Sequence, residues 1–229
     1  MSIQERINQY LNGRLPNERF ASFDYCYNYF YSFYKDNRIN KLAAGDNLQS
    51  SCLQLGFYLA SWGMMRASFL LKKSAKHYKK LIEAISKMDK KLWEIDVDNY
   101  TKENIELLLR CKEDIKVALG KENNPSDTLV SKIMLGVFAN IPAFDRNVRK
   151  SLNVRSISEK SLLKIRRFYD ANKSALNSFE VYTLNFPSSK ETNVKYTKAK
   201  LIDMYGFIDG QNGHDEKANI PHRRIRVRG

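Results

Sequence analysis

A proline turn, one carboxylate and three cations follow one another in IPAFDRNVRKSL, residues 141–152. Asp145 stands at the mouth of a basic segment formed by Arg146, Arg149 and Lys150. Two kinds of chemistry fit this order. As an N-cap, the carboxylate accepts hydrogen bonds from the free N–H groups of the helix it opens. As a catalytic acid, it is held against a phosphate backbone that the cations grip. Few other residues offer chemistry. His77, His214 and His222 have no metal-ligand spacing and no visible cysteine or serine partner. P-loop, dinucleotide fingerprint, His-Glu-x-x-His and nucleophile elbow are all absent from the sequence.

Composition narrows the partner. The 229 residues include 39 Lys+Arg against 25 Asp+Glu, a formal net charge of +14. That excess favours an anionic partner, nucleic acid first and a membrane surface second. With 43% hydrophobic residues and only five prolines, the chain reads as folded rather than disordered. Cys26, Cys52 and Cys111 stand far apart in apolar settings and fit neither a disulfide framework nor a zinc or iron–sulfur signature. They are expected as reduced core residues of a cytoplasmic protein without metal or other cofactor. MSIQERINQY does not read as a signal peptide, and residues 53–65 are too short an apolar run to span a bilayer.

The elements that must position Asp145 read as helices throughout, so the expected fold is all-α and multi-helical. Ile3, Ile7, Tyr10 and Leu11 mark an opening helix stopped by Asn12-Gly13. Residues 17–37 alternate aromatics like a strand but equally fit a helix through Phe20, Phe23, Tyr27, Phe30 and Tyr34, and their length favours the helix. Asp46 and Asn47 are expected to cap the next one, with Gly56, Ala60 and Gly63 on one side for close approach. SAKHYKKLIEAISKM reads as a basic amphipathic helix. Thr101-x-x-Asn104 is an imperfect capping box, and Gly120 ends the helix it opens. Pro125 and Ser126 start another that runs to Phe138, and Asn140-Ile141-Pro142 turns the chain into Asp145. Residues 158–182 form one long helix or two short ones, and TKAKLIDMYGFIDG closes the folded part. One domain is expected over residues 1–210. Residues 211–229, with Arg223, Arg224, Arg226 and Arg228, are expected as a loose basic tail.

Residues 126–152, SDTLVSKIMLGVFANIPAFDRNVRKSL, resemble the second half of the helix-hairpin-helix DNA glycosylases, the endonuclease-III-like superfamily. In that family an apolar helix meets a proline-containing turn, and an aspartate begins the next helix in a pattern near Asp-x-x-Val-x-Arg. Asp145, Arg146, Asn147, Val148, Arg149 and Lys150 occupy those places here, with an arginine, Arg149, one position early and Lys150 where the family has arginine. The resemblance puts the hairpin-like region near residues 101–155. It implies an aspartate that stabilises positive charge on a deoxyribose as a flipped base departs and that orients the attacking water. It also implies phosphate contacts by Arg146, Asn147, Arg149 and Lys150. The chain departs from the pattern in two ways. GKENNPSD replaces the glycine-rich hairpin, leaving phosphate only the Ser126 helix start. Ser126, Asp127 and Thr128 stand where bifunctional members carry a lysine, so a monofunctional enzyme is expected, with Lys132 a remote candidate for that amine or for a DNA contact.

A flipped base needs an aromatic wall and polar groups at its edge. Tyr58, Trp62 and Arg66 beside Ala60 and Gly63 are candidates, with Tyr27 or Tyr31 and the polar Asp24 and Asn28 from the aromatic stretch. Aromatics at helical spacing more often build a core. Asp203 lies on an apolar helix, where it pairs with a buried cation or faces solvent.

The expectation is thus a monomeric, cytoplasmic DNA glycosylase that flips and excises a modified base, in repair or in defence against phage with modified DNA. The rivals are a non-catalytic nucleic-acid-binding helical protein and an unrelated helical protein that binds an acidic protein partner.

Overall fold

In the computed structural model, residues 1–66 and 68–218 are described, with side chains to Gln211. The basic tail arginines from Arg223 onward lie outside the described residues. Ten α-helices occur among the described residues: α1 Ile3–Asn12, α2 Ser22–Lys35, α3 Gly45–Ser61, α4 Lys79–Ile85, α5 Lys102–Ala118, α6 Asp127–Phe138, α7 Arg146–Ser151, α8 Glu159–Ala171, α9 Lys173–Asn177 and α10 Lys198–Ala218. The fold is therefore mostly helical, as expected. One small exception is an antiparallel hairpin of β1 Tyr182–Leu184 and β2 Glu191–Lys195. Sequence periodicity missed it because β1 is only three residues long and its partner is six residues away across a turn. The hairpin packs against α2, where Asn28 donates to the Leu184 carbonyl at 2.9 Å.

Helix α6 is the middle of the molecule. Every residue from Leu129 to Phe138 is buried, so it has no solvent face, and it packs on α2, α3 and α5. Gly136 lets the ring of Tyr58 from α3 lie directly on the α6 backbone, where a Cβ would collide with it. Helix α2 resolves the strand-or-helix ambiguity by burial. Phe23, Cys26, Tyr27, Phe30 and Phe33 line its inner side at three- and four-residue steps.

Several local expectations are corrected. Helix α3 starts at Gly45 with Ala44 as an uncapped N-cap, since the Asn47 side chain turns back to the Lys41 carbonyl. Gly56 does permit close approach, to the ring of Tyr78, but Gly63 lies beyond the end of α3 at φ +75°. Residues 74–88 make a 3-10 turn and the seven-residue α4 rather than one helix. Half of the Thr101 box forms: Thr101 accepts from the Asn104 N–H, while the Asn104 side chain goes to the Asn99 carbonyl. Residues 158–182 make two helices, α8 and α9. Helix α10 runs eight residues past Gly210, so the folded part extends beyond the expected boundary.

A buried charge cluster ties the hairpin to the first two helices. Arg14 Nη1 donates to Asp24 at 3.1 Å, to the Tyr182 carbonyl at 2.7 Å and to the Tyr196 hydroxyl at 3.0 Å, and the Tyr196 hydroxyl also donates to Asp24. Burial raises the Asp24 carboxyl from 3.8 to about 6, against the opposing pull of Arg14 and Tyr196. The folded state therefore holds this proton more tightly than the unfolded chain. Its contribution to stability is present below pH 4 and is lost as pH rises through about 6. In urea unfolding, the stability of wild type relative to Asp24→Asn is expected to fall by roughly 2 kcal/mol between pH 4 and 7. A flat difference across that range would contradict the assignment.

Candidate active site around Asp145

The route from α6 to α7 passes through a buried turn. Ala139 ends α6 in the left-handed region at φ +53°, and residues 139–144 are all buried. Backbone polar groups so placed need partners, and they come from distant elements. Thr197 donates to the Ala139 carbonyl at 2.7 Å and Tyr100 to the Asn140 carbonyl at 2.7 Å. Ser131 and Thr128 of α6 hold the N–H and carbonyl of Phe144 at 2.7 and 2.9 Å. Asp203 of α10 accepts from the Ala143 N–H at 3.0 Å.

Asp145 follows this grip and caps α7. Its Oδ1 accepts from the N–H groups of Asn147 and Val148, both at 3.0 Å. Its Oδ2 accepts from Lys132 Nζ at 2.9 Å. A carboxylate offers about four lone-pair directions, and the described residues fill three of them. The side chain keeps 16% of its surface accessible, whereas Lys132 keeps 3%. The Lys132 ammonium lies 4.3 Å from the ring centroid of Trp62, which ends α3. Trp62 stacks on Phe20 at 5.7 Å, Phe20 stacks on Tyr10 at 4.3 Å, and the exposed Arg19 guanidinium lies 5.6 Å from the indole. A second buried pair lies beside the first. Lys200 Nζ donates to Asp203 Oδ2 at 2.9 Å and to the Tyr10 hydroxyl at 3.0 Å, and is 5.8 Å from the Trp62 centroid. Burial, and after it the negative charge of Asp203, pushes the Tyr58 phenol well above its ordinary range.

Of the expected site residues, Asp145, Lys132 and Trp62 come together. Arg146, Arg149 and Lys150 are exposed on α7, and Asn147 is half-buried. Among the described residues, Arg149 and Lys150 reach backbone carbonyls, those of Arg155 and Gly210. The Lys132 ammonium, expected to contact DNA, lies buried against Asp145 and not on the exposed basic face of α7. Tyr27 and Tyr58 are core residues, and Tyr31 packs on Tyr27 and Tyr34. Arg66 is exposed and lies over Gly63. Asp24 and Asn28 face the hairpin rather than a pocket. At the Ser126 helix start the Ser126 side chain accepts from the Leu129 N–H, one of the donors that a phosphate would meet. Asp127 beside it is paired with Lys116 at 3.2 Å. Cavities of about 680 and 610 Å³ open between α4 and α5 and around Arg166 and Lys198, and Asp145 lines neither.

Sequence reading missed Lys200, Tyr10 and the hydroxyls that grip the turn. One signal was available: Lys132 is the single charge in the buried run 129–138, and a buried ammonium needs a counter-charge.

Comparison of the chain with protein-family models, curated proteins and solved structures found no match. Among the described residues no helix is long and apolar enough to cross a membrane, and no group of His, Cys, Asp and Glu could hold a metal.

The pair has a thermodynamic signature. Asp145→Ala removes a cap worth about 1 kcal/mol and strands a buried ammonium, a loss of roughly 3–5 kcal/mol. Lys132→Met keeps the cap and leaves a partly solvated carboxylate, so a loss under about 2 kcal/mol is expected. Urea midpoints of the two variants compare them directly. Equal losses would mean that the ammonium is not dependent on Asp145.

Proposed function

We propose that the protein is a monofunctional DNA glycosylase that hydrolyses the N-glycosidic bond of a modified or damaged base flipped out of DNA. It leaves an abasic site, in repair or in defence against phage with modified DNA. One observation carries the reading: Asp145 sits at the mouth of α7, partly accessible and 2.9 Å from the Lys132 ammonium. As the glycosidic bond breaks, both bonding electrons leave with the base and positive charge builds on the sugar. A carboxylate at that point stabilises the charge and takes a proton from the attacking water. The N–H groups of α7 and the Lys132 ammonium complement the carboxylate's own charge. The exposed Arg146, Arg149 and Lys150, in a chain of net charge +14, suit the flanking phosphates. Trp62, an expected pocket residue, has its ring centroid 4.3 Å from the Lys132 ammonium.

Purified protein incubated with DNA carrying varied base modifications is expected to release one class of base. Asp145→Asn is expected to lower that release about 100-fold or more while DNA affinity stays within a few fold. Release that survives the substitution removes Asp145 from the chemistry. Absence of release from every substrate, with affinity that falls steeply with salt, favours the non-catalytic DNA-binding protein instead.

A second reading draws on the same 2.9 Å contact. Proton transfer from Lys132 to Asp145 would leave an amine able to attack the sugar carbon and displace the base. The C1′–Nζ bond forms as the bond to the base breaks, and opening of the sugar ring, with the C1′–O4′ electron pair and a proton going to O4′, gives a Schiff base that borohydride reduces to a stable protein–DNA adduct. The ammonium's burial and its pairing favour the monofunctional enzyme, so no adduct is expected on borohydride treatment. An adduct that disappears in Lys132→Met would establish the lyase.

A further inference from the structure

We infer that Asp203 is a positioning residue for Asp145, and that one face of α10 is the template on which the candidate carboxylate is placed. The role deepens the glycosylase reading, and its structural half stands without it. Asp203, Gly206 and Gly210 lie at i, i+3 and i+7, on one side of the helix. Each meets the chain around Asp145. Asp203 Oδ1 accepts from the Ala143 N–H, two residues before it. A Cβ on Gly206 would stand 3.4 Å from Val148, and one on Gly210 would run into the Asn147 backbone. The turn before Asp145 and the helix after it are thus both docked on α10.

Asp203 is the charged member of this grip. The other ties to the turn come from the hydroxyls of Thr197, Tyr100, Ser131 and Thr128. Pro142 has no N–H, so Ala143 supplies the first donor after the proline, and it is buried. A carboxylate acceptor holds such a donor more strongly than a neutral oxygen does. The other Asp203 oxygen is committed to Lys200, whose ammonium also meets the Tyr10 hydroxyl. The tie to the turn is the Ala143 hydrogen bond itself, and Lys200 supplies the counter-charge that a buried carboxylate needs. A displacement of about 1 Å at the reacting group costs on the order of 100-fold in rate.

The test separates the acceptor from the charge. Lys200→Met combined with Asp203→Asn keeps an acceptor for Ala143 and removes the ion pair as a unit. Lys200→Met combined with Asp203→Leu removes both, and apolar replacement of a buried pair at similar volume is often neutral in stability. If the leucine variant fails to fold, Lys200→Met with Asp203→Ala takes its place. On a base-releasing substrate, the asparagine variant is expected to keep kcat within about threefold. The leucine variant is expected to lose about 100-fold in kcat with KM unchanged. Equal kcat in the two variants, or a loss that appears in KM or follows the melting temperature, overturns the role. A structural arm decides the matter even if wild type releases no base. In nitrogen NMR the Lys132 ammonium resonance is expected to move in the leucine variant and stay in the asparagine variant. A resonance unchanged in both overturns the role, whatever the chemistry proves to be.

Discussion

An ammonium buried in the middle of an apolar helix has to be met by a negative charge, and around Lys132 that demand is met, among the described residues, by Asp145 at 2.9 Å. Taking two charges out of water costs several kcal/mol per ion, and only close geometry with further hydrogen bonds offsets it. Asp145 supplies both, because its second oxygen is engaged by two α7 N–H groups. The pair in turn constrains the chain between them. Thirteen residues after Lys132 the backbone must return to the same point, which α6, a left-handed Ala139 and a buried proline turn accomplish. The hydroxyl ties to that turn, and the docking of α7 on the glycines of α10, follow from the same requirement.

Two buried lysine–aspartate pairs share one aromatic neighbour. Lys132 and Lys200 both lie within 6 Å of the Trp62 centroid, at 4.3 and 5.8 Å, and Phe20 and Tyr10 continue the stack. Stability alone does not account for this, since apolar side chains of the same volume generally serve as well. Buried charges so arranged give position instead: each carboxylate oxygen has a fixed partner, and each ammonium a fixed ring. Precise placement of one partly accessible carboxylate is what the proposed chemistry asks for. The cluster of Arg14, Asp24 and Tyr196 plays a different part, tying the hairpin to α1 and α2 and giving that junction a pH dependence.

What could be read from sequence was what depends on near neighbours. The helices, the Ser126 and Asp145 caps and the choice of helix for residues 22–35 follow from periodicity and capping chemistry over a few residues. The partners that make the site were less legible because they are far apart in the chain. Asp203 reaches Ala143 across 60 residues, Arg14 reaches Tyr182 across 168, and Lys200 reaches Tyr10 across 190. Nothing local to Asp203 distinguishes a buried pair from a solvated face, although Lys200 three residues earlier is compatible with the pairing that forms. Lys132 shows the reverse case. By its type it reads as a candidate amine or DNA contact, while the unbroken apolar run around it requires burial and a counter-charge.

The central claim is that Asp145 acts at a glycosidic carbon, and the most direct measurement is the mass of a DNA strand after exposure to the protein. Strands carrying normal, damaged and phage-type modified bases, incubated with wild-type protein and analysed intact, report the chemistry without any assumption about the substrate. The expected result is one modified strand that has lost a base and gained the elements of water, with its backbone uncut. Strands of unchanged mass across the whole panel, from protein shown to be folded and bound to them, would contradict the account.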